Sequence, residues 1–132
     1  MADRIIARAR ALIGVPFRLH GRDADSGLDC VGLVALAFGR ADGIRTGYSL
    51  RGGSAESFTT MIAALGLARR RANPRAGDVL LMQAGPVQFH LGLWTGENLI
   101  HADATLRRVV ELPRPLPWPV IGAWHNRNRR NL

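Results

Sequence analysis

One cysteine and four histidines are the residues of this chain best suited to nucleophilic chemistry, and their spacing narrows the choice among them. Cys30 stands in the run Gly27-Leu28-Asp29-Cys30-Val31-Gly32-Leu33, at the first turn of a predicted helix. There the unpaired backbone N–H groups and the positive end of the helix dipole favour a thiolate, and the same N–H groups suit an oxyanion. Asp29 is expected to be the N-cap, with a direct part in catalysis as its alternative. A thiol nucleophile needs a base within hydrogen-bond reach and a third group that orients the base. His20 falls in an irregular stretch and His125 near a polar end, positions typical of solvated histidines. His90 and His101 fall instead on consecutive predicted strands joined at Gly96-Glu97, a two-residue hairpin loop in which Thr95 faces Asn98. In that register residue 90 faces residue 103, and residue 101 lies on the diagonal of the same face with its Cβ roughly 7 Å from that of residue 90. Two imidazoles meet across such a diagonal. Asp103, directly opposite His90, is the rival orienting group, because a carboxylate there would hold the imidazole by a charge-assisted hydrogen bond and raise its pKa.

These residues need elements to hold them. Ile5, Ala9, Leu12 and Ile13 recur at helical spacing between Asp3, a suitable N-cap, and the stops Gly14 and Pro16. Residues 15–26 show no period and read as a loop. The second helix, residues 30 to about 39, carries apolar side chains around most of its circumference and is expected at the centre of the core. Residues 40–53 read as a Gly- and Arg-rich loop, after which Ser54 can cap a third helix with Phe58, Met61, Ile62 and Leu65 on one face and Gly66 at its end. The stretch 69–74 reads as an exposed connection. Residues 78–83, 88–95, 98–103, 107–112 and 120–124 are short β-prone runs between Gly, Pro and Asn. Helices followed by strands predict an α+β fold with an antiparallel meander, and residues 127–132 form a basic tail.

Composition bounds the function classes. The 132 residues, 47% of them hydrophobic, describe one domain able to bury roughly two-thirds of its unfolded surface. The longest apolar run, residues 31–38, is far short of the roughly 20 residues a membrane-spanning helix needs, so no membrane insertion is expected. The N-terminus alternates charge with apolar residues and lacks the pattern of a secretory signal. A lone Cys30 excludes an intrachain disulfide, and no clustered ligands suggest a structural zinc site. The net charge of +8, carried by Arg with no Lys, suits polyanions in general. Nucleic acid is a poor candidate, because interleaved aromatics and a recognised binding motif are both missing.

Gly14-Val15-Pro16-Phe17, Gly27 to Val34, Ala76-Gly77-Asp78-Val79, Phe89-His90-Leu91-Gly92-Leu93-Trp94 and Leu99-Ile100-His101-Ala102 together resemble the NlpC-type cell-wall cysteine peptidases over nearly the whole chain. Within that family the chain looks most like the small peptidases of phage and gene-transfer-agent tail modules. The resemblance implies a papain-like α+β domain over residues 1–126, with Cys30 as nucleophile, His90 as general base and His101 as the polar residue that orients it. It implies as substrate the peptide stem of peptidoglycan, commonly the bond between D-γ-glutamyl and a diamino acid, cut through a thioester without metal or organic cofactor. Without a secretory signal, cytoplasmic synthesis is expected; the resemblance implies action in a phage-like particle or at the cell wall, where the Arg-rich surface would hold anionic cell-wall groups or dock an acidic partner such as a tail-hub protein. One position departs: Phe17 stands where the family often has a tyrosine whose hydroxyl supports the oxyanion hole. His20 is close enough in sequence to be a substitute donor. A non-catalytic tail or assembly protein that binds anionic partners through its Arg-rich surface is the alternative.

Overall fold

The computed structural model describes residues 2–40 and 54–126. In chain order these form α1 (Ala2–Ala11), a small hairpin of β1 (Arg22–Asp23) and β2 (Gly27–Leu28), α2 (Cys30–Ala37), α3 (Ala55–Ala64), β3 (Leu67–Arg69), β4 (Val79–Gly85), β5 (Gln88–Trp94), β6 (Asn98–Asp103), β7 (Arg108–Pro113) and β8 (Val120–Asn126). The architecture is α+β. Strands β3 to β8 make one antiparallel sheet in the order β3-β8-β4-β5-β6-β7. Strands β4 to β7 are the expected meander, but β8 departs from it and returns to lie between β3 and β4. The outer edge of β7 is already occupied, since Gly14 and Phe17 donate backbone hydrogen bonds to Val109 and Arg107 and Val109 donates to Val15.

Period-two alternation gives the sheet two apolar faces. Val79, Leu81, Phe89, Leu91, Leu93, Ile100, Ala102 and Val109 join the helices in the main core. Leu80, Met82, Leu99 and Ala123 point the other way, under Trp94, Leu116 and Trp118. Helix α2 is buried nearly all round, as its composition requires, and packs against α1, β5 and β6. Ser54 caps α3, whose Phe58 and Ile62 are buried, and Gly66 (φ +80°) follows its end.

Several local expectations are corrected. Helix α1 begins by Ala2, so Asp3 lies within the first turn instead of capping it, and Ile6 is buried while Ile13, past the helix end, is exposed. The stretch 15–26 is not wholly a loop: it contains β1, which pairs with the adjoining β2, and strands of two residues are too short to show a period. The stretch 69–74 is not wholly a connection, since Arg69 pairs with Trp124 in the sheet and Arg70 forms an ion pair with buried Asp78. Most of the 40–53 loop and the 127–132 tail lie outside the described residues.

Arginines also hold this fold together. Arg10 pairs with Glu111, Arg40 donates to the Leu65 carbonyl and to Asn126, and the Arg69 guanidinium lies 5.2 Å from the centre of the Trp124 ring. Part of the positive charge is thus committed to internal contacts.

Candidate active site

Asp29 turns the chain into α2. Its backbone is extended (φ −98°, ψ −173°), and its fully buried carboxylate accepts a hydrogen bond from the Gly32 N–H at 2.8 Å. The same carboxylate accepts from the His20 backbone N–H at 2.8 Å and from Arg22 Nη1 at 3.1 Å. It therefore caps the helix and ties the preceding loop to it. Gly32 permits this approach: a Cβ there would stand 2.1 Å from the Gly21 carbonyl oxygen. Asp78 of the Gly-Asp-Val run is likewise structural, holding Arg70 and the Arg75 N–H at the start of β4.

Cys30, on the first turn of α2, has no exposed surface. Burial pushes its thiol up to about 12, the Asp29 charge adds to the rise, and backbone hydrogen bonds from Leu91, Val31 and Cys30 itself oppose it. This reverses the thiolate expected from the helix terminus. Desolvation of a sulfur anion outweighs the dipole when the terminus is closed to water.

The β5–β6 hairpin closes as its loop residues require, with the Thr95 N–H donating to the Asn98 carbonyl at 2.9 Å. Its paired residues are Leu93 with Ile100 and Trp94 with Leu99, and past them the ladder stops. The Trp94 N–H points at β4, where it meets the Asp78 carbonyl. By alternation the Leu91 N–H points toward β6, into the opening where the ladder has ended. That is the backbone group that meets the Cys30 thiol.

Both histidines lie at this opening. His90 Nε2 and His101 Nδ1 are 2.9 Å apart, with the ring planes at 88°. The diagonal contact read from the hairpin register is formed. Gly92, opposite residue 101 in that register, lies under Leu99, whose Cδ1 would be 2.5 Å from a Cβ at position 92. Burial lowers the pKa of both imidazoles, and His90 falls to about 3 with the nearby His101 adding to the drop; Asp103 opposes both shifts. No hydrogen bond joins the thiol to His90, whose Nε2 is taken by His101 and whose Nδ1 is the remaining ring nitrogen.

A cleft of about 100 Å³ opens beside the pair, lined by Phe17, Gln88, His90, His101, Asp103 and Trp118 among others. Asp103 accepts at Oδ1 from the N–H groups of Thr105 and Leu106, which shapes the β6–β7 turn. Phe17 lines the cleft without a hydroxyl. His20 and His125 do not line it; His125 lies on β8 beside a separate cavity that Arg70 and Asp78 also line. Sequence reasoning missed Gln88, the Leu91 N–H and Trp118. Gln88 carried a usable signal, being two residues before His90 on the same strand face. The Leu91 N–H is a backbone group, and Trp118 falls in an aperiodic Pro-rich run.

Residues 14–115 match the NlpC/P60 family. Over 93 residues the chain is 31% identical to the murein DD-endopeptidase MepS/murein LD-carboxypeptidase of Escherichia coli strain K12, a match covering 70% of this chain and 44% of that protein. The chain thus spans less than half the length of that relative. The fold is similar to the P60 domain of an antigen from M. avium subspecies paratuberculosis, with a TM-score of 0.62 at 19% identity, covering 95% of this chain and 93% of that one. It is also similar to the peptidoglycan hydrolase RipB from Mycobacterium tuberculosis, with a TM-score of 0.59 at 22% identity, covering 95% of this chain and 63% of the other. With more than half of its residues matched, this chain belongs to the NlpC/P60 family.

Proposed function

We propose that this chain is a cysteine peptidase that hydrolyses the peptide stem of bacterial peptidoglycan, with Cys30 as nucleophile, His90 as general base and His101 as the residue that orients it. The observation that carries the reading is the 2.9 Å contact between His90 and His101 at the opening of the hairpin, where the Leu91 backbone meets the thiol. Family membership supports the reaction class, and the murein endopeptidase and peptidoglycan hydrolase among the similar proteins support the substrate class.

The resting pair is a neutral thiol and a neutral imidazole. His90 donates Nε2–H to His101 Nδ1 and keeps Nδ1 as the base. On attack the thiol proton moves to Nδ1 as the C–S bond forms, and the imidazolium then protonates the leaving amine as the C–N bond breaks. Water, deprotonated by His90, cleaves the thioester and returns the proton to sulfur. Backbone N–H groups at the start of α2 stabilise the oxyanion in place of the hydroxyl that Phe17 lacks. Because Cys30 is fully buried, substrate must part the cleft walls to reach it.

The bond assigned is that between D-γ-glutamyl and the diamino acid, and the setting assigned is a phage-tail or gene-transfer-agent particle acting at the cell wall, with a tail-hub protein as partner. Both assignments rest on the motif resemblance. The burial of Cys30 and the loss of a hydroxyl at Phe17 favour a second reading, a weak or inactive tail protein that binds anionic partners. Incubation with purified diaminopimelate-type sacculi, with soluble products identified by mass, separates them. The peptidase releases peptides that begin at the diamino acid and leaves D-γ-glutamyl on the glycan; absence of soluble fragments favours the binding protein.

A further inference from the structure

Among the described residues, Trp118 is the aromatic side chain that touches both histidines. Its ring centroid lies 5.2 Å from that of His90 and 5.4 Å from that of His101, at interplanar angles of 71° and 85°. The connection that carries it, residues 114–119, has proline at 115, 117 and 119, which restricts the backbone before the side chain packs. Leu116 and Trp118 lie on the second apolar face of the sheet, against the cluster of Leu80, Met82, Leu99 and Ala123. The Pro119 carbonyl accepts from the Gln83 N–H at 3.0 Å, pinning the segment to β4. Trp118 also lies beyond residues 14–115, the stretch that matches the family.

We propose that Trp118 is a positioning residue: its indole braces both imidazoles in the perpendicular arrangement of their hydrogen bond and keeps water from that contact. This inference rests on the proposed roles of His90 and His101. Between the two strands the β5–β6 ladder ends before reaching the rings, and Gly92 offers no side chain between them. Two opposing effects follow from the contact. Excluding water disfavours the imidazolium, whereas an indole face attracts it. Burial is the largest influence on His90, so the first effect dominates. The titratable groups facing His90 are His101 and Asp103 on β6; its β4 partner is Met82, and the charged residue of the Trp118 segment is exposed Arg114.

The test follows the imidazole nitrogens of labelled histidine by NMR in wild type, W118A and W118F, beside peptidase assays across pH. The midpoint of His90 rises by about one pH unit or more in W118A, toward its ordinary value near 6.5, and its tautomers mix, while W118F stays within about half a unit of wild type. The acid limb of kcat/KM moves with the NMR midpoint, and kcat falls more than KM rises. An unchanged or lowered midpoint in W118A, or a W118F protein that behaves like W118A, overturns the proposal. Should W118A fail to fold, the wild-type spectrum decides: indole ring-current shifts on both histidine rings support the contact, and their absence overturns it. Inactive proteins that show the predicted titrations retain the role of Trp118 and remove the peptidase reading. An active enzyme whose titrations ignore W118A does the reverse.

Discussion

His90 Nε2 lies 2.9 Å from His101 Nδ1, while Asp103, across the hairpin from His90, directs Oδ1 to the N–H groups of Thr105 and Leu106. The carboxylate acts on the imidazoles through its charge, and the neighbouring imidazole through a hydrogen bond. His101→Ala therefore lowers the catalytic rate well over tenfold, whereas Asp103→Asn changes it a few-fold. Steady-state kinetics on a soluble stem peptide checks the ranking, and the reverse order assigns the orienting role to Asp103.

Cys30 is closed to solvent, and its thiol is pushed up to about 12, so its alkylation differs from that of a preformed thiolate. At pH 7 iodoacetamide modifies the folded protein more than tenfold more slowly than it modifies the urea-unfolded chain. Mass spectrometry of quenched time points measures both rates. Rapid labelling of folded protein near pH 6.5 would mean a thiolate–imidazolium pair instead.

His90 and Cys30 are two of the groups through which stability depends on pH. An unfolded histidine takes up its proton near pH 6.5, whereas folded His90 stays neutral to about 3. Between those values the unfolded state binds more protons, so stability falls as pH drops from about 6.5 toward 3. An unfolded thiol ionises near pH 8.5 to 9 and folded Cys30 near 12, so the unfolded state binds fewer protons there and stability falls as pH rises through that window. Urea midpoints should be highest near pH 7.5, with the acid slope reduced in His90→Gln and the alkaline slope reduced in Cys30→Ala. Unchanged slopes in those variants would place the titrating groups elsewhere.

The legible parts of this molecule were those with a local code. Asp29 before an apolar run announced the cap of α2, and Gly96-Glu97 between β-prone runs set the register that joins His90 to His101. Three kinds of feature were illegible. Strands β1 and β2 are too short to show a period, and the return of β8 to lie between β3 and β4 is a long-range pairing that no local pattern encodes. The thiol's environment is the third, because a helix terminus is visible in sequence and the burial that overrides it is not.

Gly32 is a packing requirement of the nucleophile's own helix. A Cβ 2.1 Å from the Gly21 carbonyl oxygen meets backbone and cannot be relieved by a rotamer change. Gly32→Ala is expected to cost about 1–3 kcal/mol by denaturant unfolding. A loss within about 0.5 kcal/mol would show that the 18–28 loop yields easily.

Cys30→Ala tests the central claim most directly, since alanine keeps the helix terminus packed and removes only the sulfur. Wild-type protein and the variant are incubated with the same purified sacculi, and the soluble stem-peptide fragments are quantified by mass spectrometry, with circular dichroism as the check on folding. The account predicts fragments from the wild type and none above background from the folded variant. Release by Cys30→Ala within a few-fold of wild type would contradict it.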